Sequence, residues 1–272
     1  MSEYAHPEMV VEASWLEAHL SDPNLRIVDC DTPEAHGRAH IPGAVCPSDN
    51  FFKDPEDRLF VMGPGQFAQA MAEMGVGDDT EVVIYDGSGM HFTGRTWWCL
   101  SYYGHGRVRT LNGSWKQWFR EGRPVSIEAT KVPPARFTPR PDESLRATAE
   151  YVLAAIGRPD IVILDVRSDE EWDGSNTRGN KRSGHMPGAV HVEWVRNMRA
   201  DDPVRLKPAG ELRAMYEAVG VTPDREIITV CQAGVRAAQA AQTLRLLGYE
   251  RVRDYDGSFA EWGNRADTPI VR

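Results

Sequence analysis

The sequence predicts an α/β fold in which one domain type occurs twice, each copy a mainly parallel sheet flanked by helices on both faces. Short apolar, β-branched stretches alternate with segments whose apolar residues follow helical spacing. That alternation is typical of parallel sheets covered by helices. Several blocks of the first half recur in the second half, in the same order and about 145 residues later. A chain of 272 residues with 41% hydrophobic residues can form two such cores.

Composition and charge exclude several function classes. The net charge of -9 argues against nucleic acid as a partner, because phosphate binding requires basic patches. We expect no membrane association, since no apolar run reaches the 18 residues of a membrane span. The start, Met1-Ser2-Glu3-Tyr4, lacks the basic and apolar regions of a secretory signal. We therefore expect a cytoplasmic protein, and we expect a monomer.

The first copy contains short strands and helices with clear turn signals between them. In order, we predict a helix at 14–20, a strand at 25–29, an irregular block at 34–45, a helix at 67–74, a strand at 81–85, a loop at 86–89, an aromatic-rich helix at 93–103 and a block at 111–118.

The second copy repeats this order. Block 40–45 recurs at 185–190, helix 67–75 at 212–220 and strand 81–86 at 226–231, each 145 residues later. Block 112–118 recurs at 256–262, now 144 residues later. We predict a first domain at 1–123, an extended proline-rich linker at 124–141 and a second domain at 142–272.

One stretch of the second copy carries a candidate nucleophile. The strand at 227–230 ends at Cys231, a loop containing Gly234 follows, and an Ala-rich helix is predicted at 237–247. Backbone N–H groups at the helix start favour an anion in this loop, so a thiol there is expected to react as thiolate. The first copy has Asp86 at the same position, so it cannot supply a sulfur nucleophile. The alternative for Cys231 is an inert thiol in a buried core.

The other cysteines are interpreted as structural. No CxxC pair and no zinc-finger spacing occurs among the four cysteines, which favours free thiols in a reducing compartment. Cys30 lies between Asp29 and Asp31, and these acidic neighbours should raise its pKa. Cys46 and Cys99 lie in an irregular and an aromatic helical context. His40 and His185 occupy the same motif in both copies and are also interpreted as structural.

Taken together, these motifs resemble the tandem-domain rhodanese family, the thiosulfate and 3-mercaptopyruvate sulfurtransferases. The blocks that carry the resemblance are Leu164-Asp165-Val166-Arg167, Gly184-His185-Met186-Pro187-Gly188-Ala189, Cys231 to Arg236, and Asp256-Gly257-Ser258 with Trp262, each with a counterpart in the first copy. The resemblance implies two rhodanese-like domains, of which the first lacks the catalytic cysteine.

The resemblance also implies a persulfide relay. The Cys231 thiolate would attack the outer sulfur of a small anionic donor, and a thiol or cyanide would then remove that sulfur. Amides of the loop that follows would stabilise the sulfur anion. No metal or organic cofactor is expected. The substrate-binding residues that we infer are Arg167, Arg178, Arg182, Gln232, Ala233, Gly234, Val235 and Arg236.

The arginines bear on the choice of donor. Arg236 favours thiosulfate, because a cation at a helix N-terminus requires an anion to offset it; the alternative is a solvated residue of the first turn. Arg167 matches a family arginine that faces the donor, and the alternative is a salt bridge to Glu170 or Glu171. Arg178, Lys181 and Arg182 could steer a dianion, although a charge run is usually a solvated surface.

Three alternative functions are considered. A 3-mercaptopyruvate sulfurtransferase and a sulfur carrier that receives persulfide from a protein would use the same loop. A cysteine-dependent phosphatase would need the longer pattern C-x5-R, whereas Arg236 lies only five positions after Cys231 and gives C-x4-R. A shorter loop suits one sulfur atom better than a tetrahedral phosphate.

Overall fold

Two α/β units make up the chain in the computed structural model, which describes residues 3–200, 202 and 204–272. One unit covers Glu8–Asp142 with the described residues of Ala200–Arg205. The other covers Glu143–Arg199 and Leu206–Arg272 with the described residues of Met1–Pro7. The domain limits 1–123, 124–141 and 142–272 stay a prediction.

The first unit contains a four-stranded parallel sheet in the order β1-β4-β3-β2. Its elements in chain order are β1 Val10–Val11, α1 Ala13–Ala18, β2 Leu25–Asp29, α2 Pro33–Arg38, α3 Pro64–Glu73, β3 Glu81–Tyr85, α4 His91–Tyr102, β4 Val108–Leu111 and α5 Ser114–Arg120, after a 3-10 turn at Pro7–Met9. Four of the five residues of β2 and four of the five of β3 are buried, as expected for a parallel sheet covered by helices.

The second unit contains a five-stranded parallel sheet in the order β5-β9-β8-β6-β7. Its elements are β5 Arg146–Ala147, α6 Ala149–Ala155, β6 Ile161–Asp165, α7 Asp169–Trp172, β7 Val190–His191, α8 Ala209–Glu217, β8 Glu226–Val230, α9 Val235–Leu246, β9 Val252–Tyr255 and α10 Ser258–Trp262, with 3-10 turns at Glu143–Leu145 and Trp194–Asn197. The predicted α/β fold with two parallel sheets is confirmed.

The strand pairing places the carboxyl ends of neighbouring strands side by side. In the second unit Asp165, the last residue of β6, pairs with Val230, the last residue of β8. In the first unit Asp29 pairs with Tyr85 in the same way. Ligands of parallel sheets bind beyond such ends. Cys231 follows directly after Val230, so the pairing puts it at this edge.

Both copies bury a tryptophan at the same point of the repeat. Trp118 and Trp262 are fully buried, and their indole N–H groups donate to the carbonyl oxygens of Pro124 and Pro269 at 2.7 and 2.9 Å. A buried indole needs such an acceptor. Each tryptophan therefore fixes the backbone of the segment that follows its own helix.

The segment at 124–141 contains no helix or strand. It nevertheless contacts the first unit, where Phe137 is buried and packs edge-on against Phe67 with ring centroids 5.5 Å apart. Ser126 pairs with His40 through two backbone hydrogen bonds of 2.9 Å. Its prolines explain the extended conformation, since proline cannot donate to a regular ladder.

Candidate active site

Cys231 lies between the end of β8 and the start of α9, and the residue is only 1% exposed. We define the Cys231 loop as residues 231–236. Gly234 is the N-cap of α9 and has φ of +72°, a left-handed conformation that favours glycine. A Cβ at this position would lie 2.8 Å from the carbonyl oxygen of Asp256. Glycine is therefore required, and its conformation makes α9 begin at Val235, two residues before the predicted start.

Ser258 anchors both ends of the bend that contains the sulfur. Its Oγ accepts the N–H of Cys231 at 3.1 Å and the N–H of Gly234 at 3.2 Å. The Ser258 hydroxyl donates to the carbonyl of Tyr255 at 2.7 Å, and its Oγ lies 3.9 Å from the Sγ of Cys231. Ser258 itself has φ of +48°, which is uncommon for a non-glycine residue and marks a position fixed by its surroundings.

Backbone bonds reinforce the same anchor. The N–H of Phe259 donates to the carbonyl of Cys231 at 3.0 Å, and the N–H of Ala260 donates to that of Gln232 at 2.8 Å. The first turn of α10 therefore binds the start of the loop through these two carbonyl groups. Since α10 begins at Ser258, the last residue of the Asp256-Gly257-Ser258 motif, that motif positions the thiol.

Gln232 is tied to the segment between α7 and β7. Its side-chain amide and that of Asn180 exchange two hydrogen bonds, both of 3.1 Å. Asn264 also donates to the Oδ1 of Asn180 at 3.0 Å. The sequence analysis did not identify Asn180. Its side chain could not have been assigned from the pattern, because the contact joins positions 52 residues apart.

The equivalent loop of the first unit already contains an anion. The carboxylate of Asp86 accepts four backbone N–H groups, from Ser88 and Met90 at 3.1 Å each, from Phe92 at 2.8 Å and from Thr93 at 3.1 Å. Asp86 is fully buried. Converging N–H groups at a helix start form an anion-binding concavity. The Asp86 loop therefore shows that a loop of this type can bind a carboxylate through its backbone N–H groups.

The two loops differ in size by one residue. Four residues, 87–90, separate Asp86 from α4, whereas three residues, 232–234, separate Cys231 from α9. This deletion accounts for the change of the repeat offset from 145 to 144. The longer loop binds a carboxylate with two oxygens, whereas the shorter one follows a cysteine with a single sulfur atom.

Arg236 is paired within the chain rather than solvated. Its two terminal nitrogens donate to the carboxylate of Glu171 at 2.7 and 2.8 Å, and the side chains of Arg236 and Glu171 are 14% and 4% exposed. Burial opposes the charge of Arg236, but the hydrogen bonds to Glu171 and the negative charge of Cys231 raise its pKa. The anion that offsets this cation at the helix start is therefore Glu171, which weakens the sequence argument for thiosulfate.

Arg167 is buried and paired within the chain. Its guanidinium forms three hydrogen bonds of 2.6–3.0 Å with the carboxylate of Asp165 and one of 2.8 Å with the carbonyl of Gly184. It also lies 3.8 Å from the ring centre of Phe259. The side chain is buried because the Asp165 carboxylate neutralises it. The alternative, a salt bridge to Glu170 or Glu171, is wrong because Asp165 is the partner. The substrate role of Arg167 stays a prediction, which this pairing disfavours.

The two predicted arginines of the insertion have different positions. Arg178 has φ of +50°, its side chain is 55% exposed, and its Nε lies 3.9 Å from Glu171. It is thus a cation close to the Arg236–Glu171 pair. Arg182 instead donates to the carbonyls of Trp262, Arg265 and Thr268 and to the Thr268 hydroxyl. Its substrate role stays a prediction, which these contacts with the C-terminal segment disfavour.

The comparison with known families decides the identity. Residues 12–121 and 148–265 each match the family model described as the rhodanese-like domain. This chain belongs to the tandem-domain rhodanese family.

Several relatives match nearly the whole of this rhodanese, and their names refer to sulfur carriers or to enzymes that transfer sulfur. The sulfur carrier protein TtuD of Thermus thermophilus is 37% identical, over 99% of this chain and 98% of its own. A thiosulfate sulfurtransferase of Azotobacter vinelandii is 33% identical, over 99% of each chain. The crystal structure of SseA from Escherichia coli, described as a 3-mercaptopyruvate sulfotransferase, is 30% identical, with a TM-score of 0.82 over 92% of this chain and 98% of that one.

The remaining cysteines of this rhodanese are not suited to attack. Burial raises the pKa of Cys30 well above its ordinary value, and the charges of Asp86 and of the neighbouring Asp29 add to the shift. The predicted direction is confirmed, but burial is the main cause. Burial together with Asp29 raises the pKa of Cys46 to about 12. Cys99 is buried in α4. These thiols are protonated at neutral pH or shielded from a donor.

The histidines of the repeated motif form hydrogen bonds with backbone carbonyls, which fits their predicted structural role. His40 is buried and bonds the carbonyls of His36 and Glu128 at 2.9 and 3.2 Å. His185 bonds the carbonyl of Trp172 at 3.0 Å and stacks on its ring at 3.6 Å. In the described part of the chain, no group of three or more His, Cys, Asp or Glu side chains could hold a metal ion. None of the described helices is long and apolar enough to cross a membrane.

Besides Asn180, the sequence did not reveal the roles of Ser258 and Glu171. Ser258 was noted only as part of a family motif, and Glu171 only as an alternative partner of Arg167. A signal for Glu171 was present, since Ser168 and Glu171 have the S-x-x-E spacing of a capping box and form one here. That box orients Glu171 at the start of α7, from which it reaches Arg236.

Proposed function

We propose that this rhodanese is a sulfurtransferase in which Cys231 accepts the outer sulfur of thiosulfate and passes it to a thiol or cyanide. The Cys231 thiolate attacks the outer sulfur, the S–S bond of the donor breaks and sulfite leaves with the electron pair. The persulfide that remains carries a negative charge on its terminal sulfur. Cyanide then attacks that sulfur, thiocyanate leaves and the thiolate is restored. Charge and electrons balance in both half-reactions without an added oxidant.

The observation that carries this proposal is the pair of equivalent loops. The Asp86 carboxylate accepts four N–H groups of its loop, and Cys231 occupies the same position in a loop shorter by one residue. Backbone N–H groups that point at a fixed anion site stabilise charge without reorganisation. The smaller loop supports a sulfur anion over a tetrahedral phosphate, which disfavours a phosphatase.

The loop residues have distinct parts in this proposal. Ala233 and Gly234 form the turn over the sulfur, and Val235 begins α9 with its apolar side chain buried. Gln232 is fixed by Asn180, so its backbone rather than its amide serves the anion. Arg178 and Arg236 supply positive charge for the donor. Arg167 and Arg182 have no part in donor binding.

The exposed surface of the second unit favours a small donor over a partner protein. In the described residues of the second unit, the large apolar side chains that are exposed are Val195 and Val271. Neither belongs to the Cys231 loop, and two separate valines do not form a docking patch. A sulfur carrier is nevertheless the second candidate, because the relative TtuD has that name. A role in the cytoplasm as a monomer stays a prediction.

Steady-state kinetics test the proposal. Thiocyanate formation is measured while thiosulfate or 3-mercaptopyruvate is varied at several fixed cyanide concentrations. A relay through the enzyme predicts parallel double-reciprocal lines, because the first product leaves before the acceptor binds. A higher kcat/KM with 3-mercaptopyruvate than with thiosulfate would move the assignment to that donor. No turnover with either donor would favour the carrier.

A further inference from the structure

We propose that Glu171 sets the donor preference of this site by controlling the charge that Arg236 presents beside Cys231. The inference rests on the proposed sulfur transfer and names a residue that acts through another. Glu171 is a positioning residue, since its carboxylate contacts Arg236 and not the sulfur. Its role is to keep the site suited to a particular donor charge.

The Glu171 carboxylate binds one whole edge of the Arg236 guanidinium. Both terminal nitrogens of Arg236 are bound by the two carboxylate oxygens, at 2.7 and 2.8 Å. A bidentate pair of this kind is both strong and directional. The pair is almost buried, so water does not screen it as it screens a surface pair. Arg236 is therefore held in one place with its charge largely offset.

Glu171 is itself held from a second side. Its carboxylate accepts the N–H of Ser168 at 3.3 Å, and its own N–H donates to the Ser168 Oγ at 3.3 Å. This capping box fixes the start of α7 and with it the direction of the Glu171 side chain. Burial opposes ionisation of Glu171, yet Arg236 holds its pKa below the ordinary value. The carboxylate is charged at neutral pH.

The charges around the sulfur nearly cancel. Arg167 pairs with Asp165, and Arg236 pairs with Glu171. Arg178 remains as a partly solvated cation 3.9 Å from Glu171. A dianion gains more than a monoanion from each positive charge that is not offset. Thiosulfate carries two negative charges and 3-mercaptopyruvate carries one on its carboxylate, so Glu171 selects against thiosulfate relative to 3-mercaptopyruvate.

The matched variants are Glu171→Gln and Glu170→Gln. Glutamine retains the size of the side chain and can complete the capping box, so Glu171→Gln removes one charge with little change of shape. Glu170 lies in the same helix but is exposed, and Glu170→Gln removes the same charge beside the site. The measured quantity is the ratio of kcat/KM for thiosulfate to kcat/KM for 3-mercaptopyruvate, at low and high salt.

We expect the ratio to rise about fivefold in Glu171→Gln, since the removal of one negative charge in a partly solvated site acts more strongly on a dianion. The change should appear mainly in KM for thiosulfate and shrink in high salt. Glu170→Gln should leave the ratio within about twofold of wild type, because its charge is solvated. An unchanged or lower ratio in folded Glu171→Gln would overturn the inference, even if its melting temperature fell.

A charge cycle keeps the inference testable if Glu171→Gln does not fold. Arg236→Gln leaves the Glu171 carboxylate unbalanced, and the ratio should fall. The double variant Glu171→Gln/Arg236→Gln removes both charges, and the ratio should return towards wild type. A double variant that stays as low as Arg236→Gln would show that donor contact with Arg236 matters and that its offset by Glu171 does not. If wild type forms no persulfide with either donor, the proposed function fails, which is a separate result.

Discussion

The Oγ of Ser258 lies 3.9 Å from the Sγ of Cys231, and it accepts the N–H of Cys231 itself at 3.1 Å. The same oxygen accepts the N–H of Gly234, while its hydrogen is donated to the carbonyl of Tyr255. One buried hydroxyl thus closes the bend that carries the sulfur. Because all these groups are buried, each depends on the others for its hydrogen bond.

Ser258→Ala should lower both stability and the rate of persulfide formation. Two buried N–H groups lose their acceptor, which costs about 1–3 kcal/mol of the free energy of unfolding, and the loop loses its fixed shape. Ser258→Gly should be less destabilising, because glycine accepts φ of +48° without strain. Urea unfolding and single-turnover sulfite release measure the two effects.

Ser114 provides the matched control for Ser258. It occupies the equivalent position of the first unit, with φ of +59°, and is also buried. Ser114→Ala should leave the rate of sulfite release unchanged in folded protein. If Ser258→Ala released sulfite as fast as wild type, Ser258 would have no positioning role.

Gly234→Ala should disrupt the Cys231 loop. The new Cβ would meet the carbonyl oxygen of Asp256 at 2.8 Å, and φ of +72° is unfavourable for alanine. We expect the rate of persulfide formation to fall by more than about tenfold, because misplacing reacting groups by an ångström is that costly. Gly210→Ala in α8 is the control, since its Cβ would meet no atom within 4 Å and helix propensity favours alanine.

Asp86→Asn should destabilise the protein without altering the chemistry at Cys231. An amide can accept at one oxygen only, so part of the set formed by the N–H groups of Ser88, Met90, Phe92 and Thr93 loses its acceptor. The expected cost is about 2–3 kcal/mol. Thermal unfolding detects it, and turnover per folded molecule should be retained. Equal stability of the variant and wild type would mean that this loop does not select an anion.

Asp31→Asn should stabilise the protein at neutral pH. Burial raises the pKa of Asp31 to about 6, and the charges of Asp86 and Asp29 add to the shift. Above its unfolded value of about 3.9, the folded state binds this proton more tightly, so stability is lost as pH rises to about 6. Below pH 3.9 both states are protonated and nothing is lost.

The melting temperature of Asp31→Asn should therefore exceed that of wild type at pH 7, with the difference disappearing near pH 4. Asparagine retains an oxygen to accept the N–H of Gly87, which Asp31 now binds at 2.7 Å. A variant that is equally destabilised at both pH values would contradict the expected titration and indicate a lost contact instead.

The repeat and the apolar strands were readable from the sequence because they depend on local pattern. The strands at 25–29 and 81–85 have the predicted limits. The helix starts at His91 and Val235 lie two residues earlier than predicted. Those starts depend on left-handed N-caps, Met90 with φ of +68° and Gly234 with +72°, and hydrophobic spacing carries no information about φ.

The side-chain partners at the site were not readable. Arg236 finds Glu171 across 65 positions, and Arg182 finds carbonyls 80 or more positions away. A sequence motif can place an arginine near a site, but it does not indicate which carboxylate or carbonyl will be its hydrogen-bond partner. For Arg167 the partner was only two residues away, yet the choice between Asp165 and the glutamates of α7 depended on how tightly the strand end is buried.

The most direct test of the account is the intact mass of the protein after incubation with thiosulfate. The account predicts that wild type gains the mass of one sulfur atom and loses it again on addition of cyanide. Cys231→Ser should gain nothing, whereas Cys46→Ser, which removes a half-buried thiol of the first unit, should behave as wild type. Sulfur that still adds to Cys231→Ser, or no addition to wild type with thiosulfate or 3-mercaptopyruvate, would contradict sulfur transfer through Cys231.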